Sequence, residues 1–122
     1  MGVGDLNGLE SIKEMEYISI DKEAIPYQFE MTLAGETFKM QINHNSKADI
    51  LTLDLYKHNE PIVLGEKLVY GKPLFDNSQH LPVPKVMIIP YDPNQQQERV
   101  TKANIDEEVF LFLVGDEYGT MD

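Results

Sequence analysis

The chain contains no cysteine, which removes disulfides, zinc–thiolate sites, iron–sulfur clusters and thiol catalysis together. It also lacks tryptophan, and its five phenylalanines fall mainly at positions that read as core-facing. Carboxylates are plentiful, but the aromatic cleft that usually flanks a sugar-cleaving acid pair has little material here. Basic residues are scarce: 10 Lys and Arg stand against 21 Asp and Glu, for a formal net charge of −11. The acidic residues are spread along the chain and the basic ones do not cluster in sequence, so the basic stripe that releases counterions from a phosphate backbone is missing. No nucleic-acid partner is expected. Long apolar runs are missing too, none approaching the roughly 20 residues of a membrane-spanning helix. The opening Met1-Gly2-Val3-Gly4-Asp5-Leu6-Asn7-Gly8-Leu9-Glu10 has neither the basic nor the apolar region of a secretory signal. The expectation is a soluble protein made in the cytoplasm, with no membrane partner.

The familiar catalytic patterns are absent as well. His44, His58 and His80 each sit in a turn or loop, without a second histidine or an acidic residue at metal-ligand spacing. Ser11, Ser19, Ser46 and Ser78 lack the Gly-x-Ser-x-Gly context of a nucleophile elbow. The glycine patterns that cradle phosphates do not occur. Asp92-Pro93-Asn94 resembles the first ligands of a calcium loop, but Gln97 and Ala103 stand where that loop needs its glycine and its bidentate glutamate, so the segment reads as a proline turn. No catalytic, cofactor-binding or metal-binding residue is assigned. The six methionines include Met31, Met40 and Met87 within strand patterns and read as core filling.

What is present is a strand pattern. At 122 residues, 42% hydrophobic and 25% charged, the chain has the size and mixture of one folded domain. Tyr27, Phe29, Met31 and Leu33 alternate with polar residues, and after Ala34-Gly35 the alternation resumes with Phe38, Met40 and Ile42, the signature of a hairpin. Leu51, Leu53 and Leu55 mark a third strand. Ile62 to Gly71 reads as a fourth, bent at Gly65. Val86 to Pro90 follows as a buried strand. Val109 to Val114 is apolar at every position, which fits a central strand or one covered on its second face by a partner chain. With turn signals at about ten-residue intervals, the expectation is an all-β fold: a small single-domain antiparallel β-barrel or sandwich of about seven short strands. It should occupy residues 16–114, between a leader at 1–15, where Leu9 to Met15 could form one helical turn, and an acidic tail at 115–122. Phe29, Phe38, Leu53 and Phe112 are expected in the core.

Between Gly71 and Pro84 the pattern breaks, because Pro73, Pro82 and Pro84 cannot donate to a sheet and Asp76-Asn77-Ser78 favours turns. A connection this long is a candidate contact surface, with Leu74, Phe75, Leu81 and Val83 as its apolar contact residues. The competing reading is a loop that folds back over its own domain.

Several segments in order resemble the baseplate plug proteins of contractile-tailed bacteriophages and prophages. They are Ile20-Asp21-Lys22-Glu23-Ala24-Ile25-Pro26-Tyr27-Gln28-Phe29, Leu33-Ala34-Gly35-Glu36-Thr37-Phe38, Asp54-Leu55-Tyr56, and Leu64-Gly65-Glu66-Lys67-Leu68-Val69-Tyr70-Gly71-Lys72-Pro73-Leu74-Phe75. The Leu81-Pro82 loop, Ile89-Pro90, Arg99-Val100-Thr101 and Val109-Phe110-Leu111 complete the series. The resemblance spans residues 16 to 114. It implies a non-enzymatic, β-rich subunit at the axis of the virion tail baseplate, packing against hub and tail-tube proteins in a symmetric assembly, itself a possible homo-oligomer, with no cofactor. The alternative from a different class is a stand-alone β-barrel that binds a small ligand in its mouth.

Overall fold

A computed structural model describes residues 16–114 of the chain. Seven strands follow in order: β1 (Tyr17–Ile18), β2 (Tyr27–Leu33), β3 (Glu36–Asn45), β4 (Ile50–Lys57), β5 (Glu60–Lys67), β6 (Met87–Tyr91) and β7 (Phe110–Val114). A single 3₁₀ turn at Lys22–Ala24 separates the first two. The strands form a four-stranded sheet in the order β2-β3-β4-β5 and a three-stranded sheet in the order β1-β7-β6, each wholly antiparallel.

The four-stranded sheet is a meander whose turns are written in its sequence. Ala34 and Gly35 link β2 to β3 with φ of 50° and 81°, and His58 and Asn59 link β4 to β5 with φ of 54° and 64°. Two consecutive positive values give the turn whose twist matches that of the flanking strands. Between β3 and β4 the Asn45 side chain takes over, its Oδ1 accepting the N–H groups of Lys47 and Ala48 at 3.1 and 3.3 Å. Alternation then sets the faces. Phe38, Met40 and Ile42 on β3 and Leu51, Leu53 and Leu55 on β4 are buried, while Thr37, Lys39, Gln41, Thr52 and Asp54 lie on the other side.

The three-stranded sheet covers that apolar face with Ile18, Ile88, Leu111 and Leu113. Loop residues Ile20, Leu68, Leu74, Phe75, Val83, Val86, Val100 and Ile105 complete one continuous core. The two sheets do not close on each other, so the fold is a sandwich and not a barrel, and the barrel mouth that a small-ligand binder would use is not formed. Strands β2, β4, β6 and β7 follow expectation within one or two residues; β3 runs three residues past Ile42, β1 has no counterpart in the sequence pattern, and β5 stops at Lys67 and pairs irregularly with β4 around Gly65. The expected leader and tail lie outside the described residues.

Phe38 and Leu53 sit in the core as expected. Phe29 is half-buried against it, because β2 is an edge strand with no neighbour on its far side. Phe112 is buried but belongs to the opposite face of its sheet: one-residue alternation along β7 sends Leu111 and Leu113 into the core and Phe110 and Phe112 away from it.

Candidate interaction surface

The long connection from Leu68 to Val86 folds back on the domain. Phe75 anchors it. Its backbone is in the left-handed region at φ 61°, its N–H donates to the Glu66 carboxylate at 2.7 Å, and its carbonyl accepts from Ser78 N–H and the Gln79 amide. A bulky residue holds that conformation only when its surroundings over-determine it, and here its side chain is only 2% exposed in the core. Leu74 and Val83 are buried beside it, whereas Leu81 is 36% exposed. Of the four apolar loop residues singled out from sequence, three therefore hold the loop to its own domain and Leu81 alone presents its side chain outward. The loop also meets the edge strand β6: Gly71 N–H donates to Pro90 O and Leu74 N–H to Ile88 O, both at 2.8 Å. A shallow cleft between Pro73, Asp76, Gln79, Pro84 and Lys85 opens next to Met87.

Met87 lies at the border of an apolar face of the three-stranded sheet. In register across the three-stranded sheet stand Tyr17, Phe112 and Ile89, then Phe110 and Tyr91, then Val114 and Met87, all on the face turned away from the core. The ring of Tyr17 packs edge-on to Phe110 at 5.0 Å and to Phe112 at 6.2 Å, and Phe110 lies 5.9 Å from Phe112. These rings shield Phe112, while Tyr17 and Met87 remain 41% and 45% exposed. No charged residue stands among these seven, on a chain of net charge −11.

The rim of this face is fixed by Asp92. Its carboxylate accepts N–H groups from Asn94, Gln96 and Gln97 at 2.8 to 2.9 Å, closing the proline turn read from sequence. Burial acts to raise its pKa, but these N–H donors outweigh it and hold the group below the ordinary carboxylate value. The backbone N–H of Asp92 in turn donates to the Tyr70 hydroxyl at 3.1 Å, and the Tyr70 ring stacks on Tyr91 at 5.7 Å.

Sequence reading missed one cluster, because its members come from three separate segments. Lys22, His44, Arg99 and Lys102 converge at the end of the β3–β4 hairpin. Lys22 Nζ donates to Ala103 O at 2.6 Å and pairs with Glu107 at 2.9 Å. Arg99 donates to the carbonyls of Ala48 and Asp49 at 3.2 and 3.1 Å. His44 Nε2 lies 2.8 Å from Asp49 Oδ1, which also accepts the Lys102 N–H. The His44 hydrogen bond first, then that N–H, holds the Asp49 carboxyl below its usual value. Lys22 thus ties the 3₁₀ turn to the loop at Ala103 and Glu107, and Arg99 clasps that loop to the β3–β4 hairpin. Asn104 braces the same loop from inside, donating to Gln97 Oε1 and Arg99 O and accepting the Thr101 N–H. Among the described residues no group of three or more His, Asp or Glu is gathered as metal ligands.

A β-sandwich whose constructed features are hydrogen-bonded loops and one uncharged aromatic face has the makings of an assembly module, since interfaces concentrate aromatic residues and methionine at their centres and exclude charge from them. Residues 15–117 match the family model described as cyanophage baseplate Pam3 plug gp18, and the chain belongs to that family. No curated protein matches it. The family defines a structural component of the phage baseplate, which places the protein in the virion tail among other baseplate proteins.

Proposed function

We propose that the protein is a non-enzymatic plug at the tail axis that packs against hub and tail-tube proteins through the outer face of its three-stranded sheet, with the Leu74–Val83 loop extending the contact through Leu81. The observation that carries this reading is the uncharged patch of Tyr17, Met87, Ile89, Tyr91, Phe110 and Val114 around Phe112 on an otherwise acidic chain. A neighbouring baseplate protein is favoured as occupant over a second copy. Family membership supplies such neighbours, and two chains of −11 repel each other before their apolar faces meet. Leu74, Phe75 and Val83 act in this reading by holding the loop's shape, so that a preordered loop loses little entropy on docking.

The test is co-purification of the protein with hub and tail-tube proteins from the same virus, repeated with Tyr17→Ser, Met87→Ser and Leu81→Ser. Unaltered melting with loss of association supports the reading. Association equal to that of the unsubstituted protein, or a face occupied by a second copy in light scattering, overturns it.

A further inference from the structure

Sheet edges display unpaired backbone groups, and proteins commonly block them. Three of the four edges here are blocked among the described residues. β1 is two residues long. β6 is occupied by the loop hydrogen bonds to Pro90 O and Ile88 O. β5 carries Pro61, pairs irregularly with β4, and has its Gly65 N–H taken by Asp54 Oδ1 at 2.7 Å.

β2 has none of these devices. It runs seven residues without proline or bulge, and pairs only with β3. Its two-residue turn makes Leu33 and Glu36 a hydrogen-bonded pair, so alternation gives Met31, Phe29 and Tyr27 their bonds to β3 and turns the N–H and C=O of Gln28, Glu30 and Thr32 outward. Tyr27, Phe29 and Met31 face the core but are only half-buried, with the Tyr27 and Phe29 rings 5.4 Å apart. The core is thus open along this edge. On the other face Gln28 bonds Gln41 and Thr32 bonds Thr37, both at 2.9 Å. Glu30 is different: its register partner Lys39 donates instead to Asn59 Oδ1 at 3.0 Å, leaving the Glu30 carboxylate without an ion pair.

That carboxylate decides what kind of strand fits. The one antiparallel self-pairing that uses all three outward residues sets Gln28 against Thr32 and Glu30 against its own copy, and directly opposed like charges are destabilising. We infer that the free edge of β2 is a strand-addition site for an extended segment of a different polypeptide, running antiparallel, with apolar residues covering Phe29 and Met31 and a Lys or Arg opposite Glu30. Backbone bonds supply affinity in this mode, and the alternating side chains supply selectivity. The surface is separate from the aromatic face and does not depend on which protein covers that face.

The test uses the full chain, isotopically labelled, titrated with two nine-residue peptides of alternating valine and threonine, one with lysine at its centre and one with glutamate. The lysine peptide should slow amide exchange at Gln28, Glu30 and Thr32 and bind about fivefold tighter than the glutamate peptide. Glu30→Lys should invert that preference, with a small fall in melting temperature because it sets a second cation opposite Lys39. Absence of protection at those three amides, protection at another edge, a preference that Glu30→Lys does not invert, or self-association of the unsubstituted chain through β2 would each overturn the proposal.

Discussion

The outer faces of the two sheets have the same backbone geometry and opposite chemistry. On the four-stranded sheet, Gln28 bonds Gln41, Gln41 bonds Asn43 at 2.8 Å, and Asn43 bonds Asp54 at 3.1 Å, so a ladder of amides and a carboxylate runs across three strands. On the three-stranded sheet the equivalent positions hold Tyr17, Phe112, Ile89, Phe110, Tyr91, Val114 and Met87. A solvated sheet face alternates apolar-in and polar-out, as β3 does. A strand apolar on both sides, as β7 is, signals cover on both sides. The difference separates a polar face suited to water from an apolar one, which in the proposed reading is the side another protein covers.

The sharpest way to break this comparison is to empty the centre of the apolar face. Phe112→Ala should destabilise the domain by about 3–5 kcal/mol, measured as a shift in urea midpoint at unchanged slope. Phe38→Ala, in the core between the sheets, should cost about as much. If Phe112→Ala melts like the unsubstituted protein while Phe38→Ala does not, the outer rings contribute nothing to the isolated domain.

Next comes the rim. Asp92→Ala strips three backbone N–H groups of their acceptor and should cost about 1–3 kcal/mol. Because the folded-state pKa of Asp92 is depressed, its contribution is present above the unfolded value and is lost as pH falls through the folded one, below about pH 4. Asp49 and Glu36 are depressed in the same sense, Glu36 by its 2.9 Å contact with Lys57. Asp106 runs the other way. Burial raises its pKa despite the N–H it accepts from Ile20, so it opposes folding as pH rises through its folded value. Thermal melts from pH 7 downward should show a steep acid loss that Asp92→Asn flattens. Asp106→Asn should leave that loss in place.

Much of this was legible beforehand, and the reasons differ by element. Strands β2, β3 and β4 are half-buried, so a period of two marks both strand and face, and Ala34-Gly35 and His58-Asn59 mark the turns. The pair of residues in β1 is too short to carry any period. The sidedness of Phe112 was hidden because a run apolar at every position does not say which face meets the core. Loop burial was hidden for a related reason: Leu74, Phe75 and Val83 have no periodic neighbours, and only the Glu66 and β6 hydrogen bonds reveal that they point inward. The cationic cluster around Asp49 is a product of topology, joining residues as far apart as Lys22 and Lys102.

The smallest expected effect lies on the polar face, at Gln41. Its side chain accepts from Gln28 at 2.9 Å and donates to Asn43 at 2.8 Å, so Gln41→Ala deletes two hydrogen bonds and leaves two partners behind. Two bonds removed from a buried site would be a large loss. Here Gln28 is exposed and Asn43 only partly buried, so water replaces the lost partner at both, and the net worth of a hydrogen bond shrinks once the exchange with water is counted. Alanine also lowers strand propensity slightly. The expected change is within about 0.5 kcal/mol, read from the same urea transitions as Phe112→Ala. Equal losses from the two substitutions would show that the amide ladder is as structural as the aromatic patch, and that surface chemistry alone does not tell the partner side of this sandwich from the solvent side.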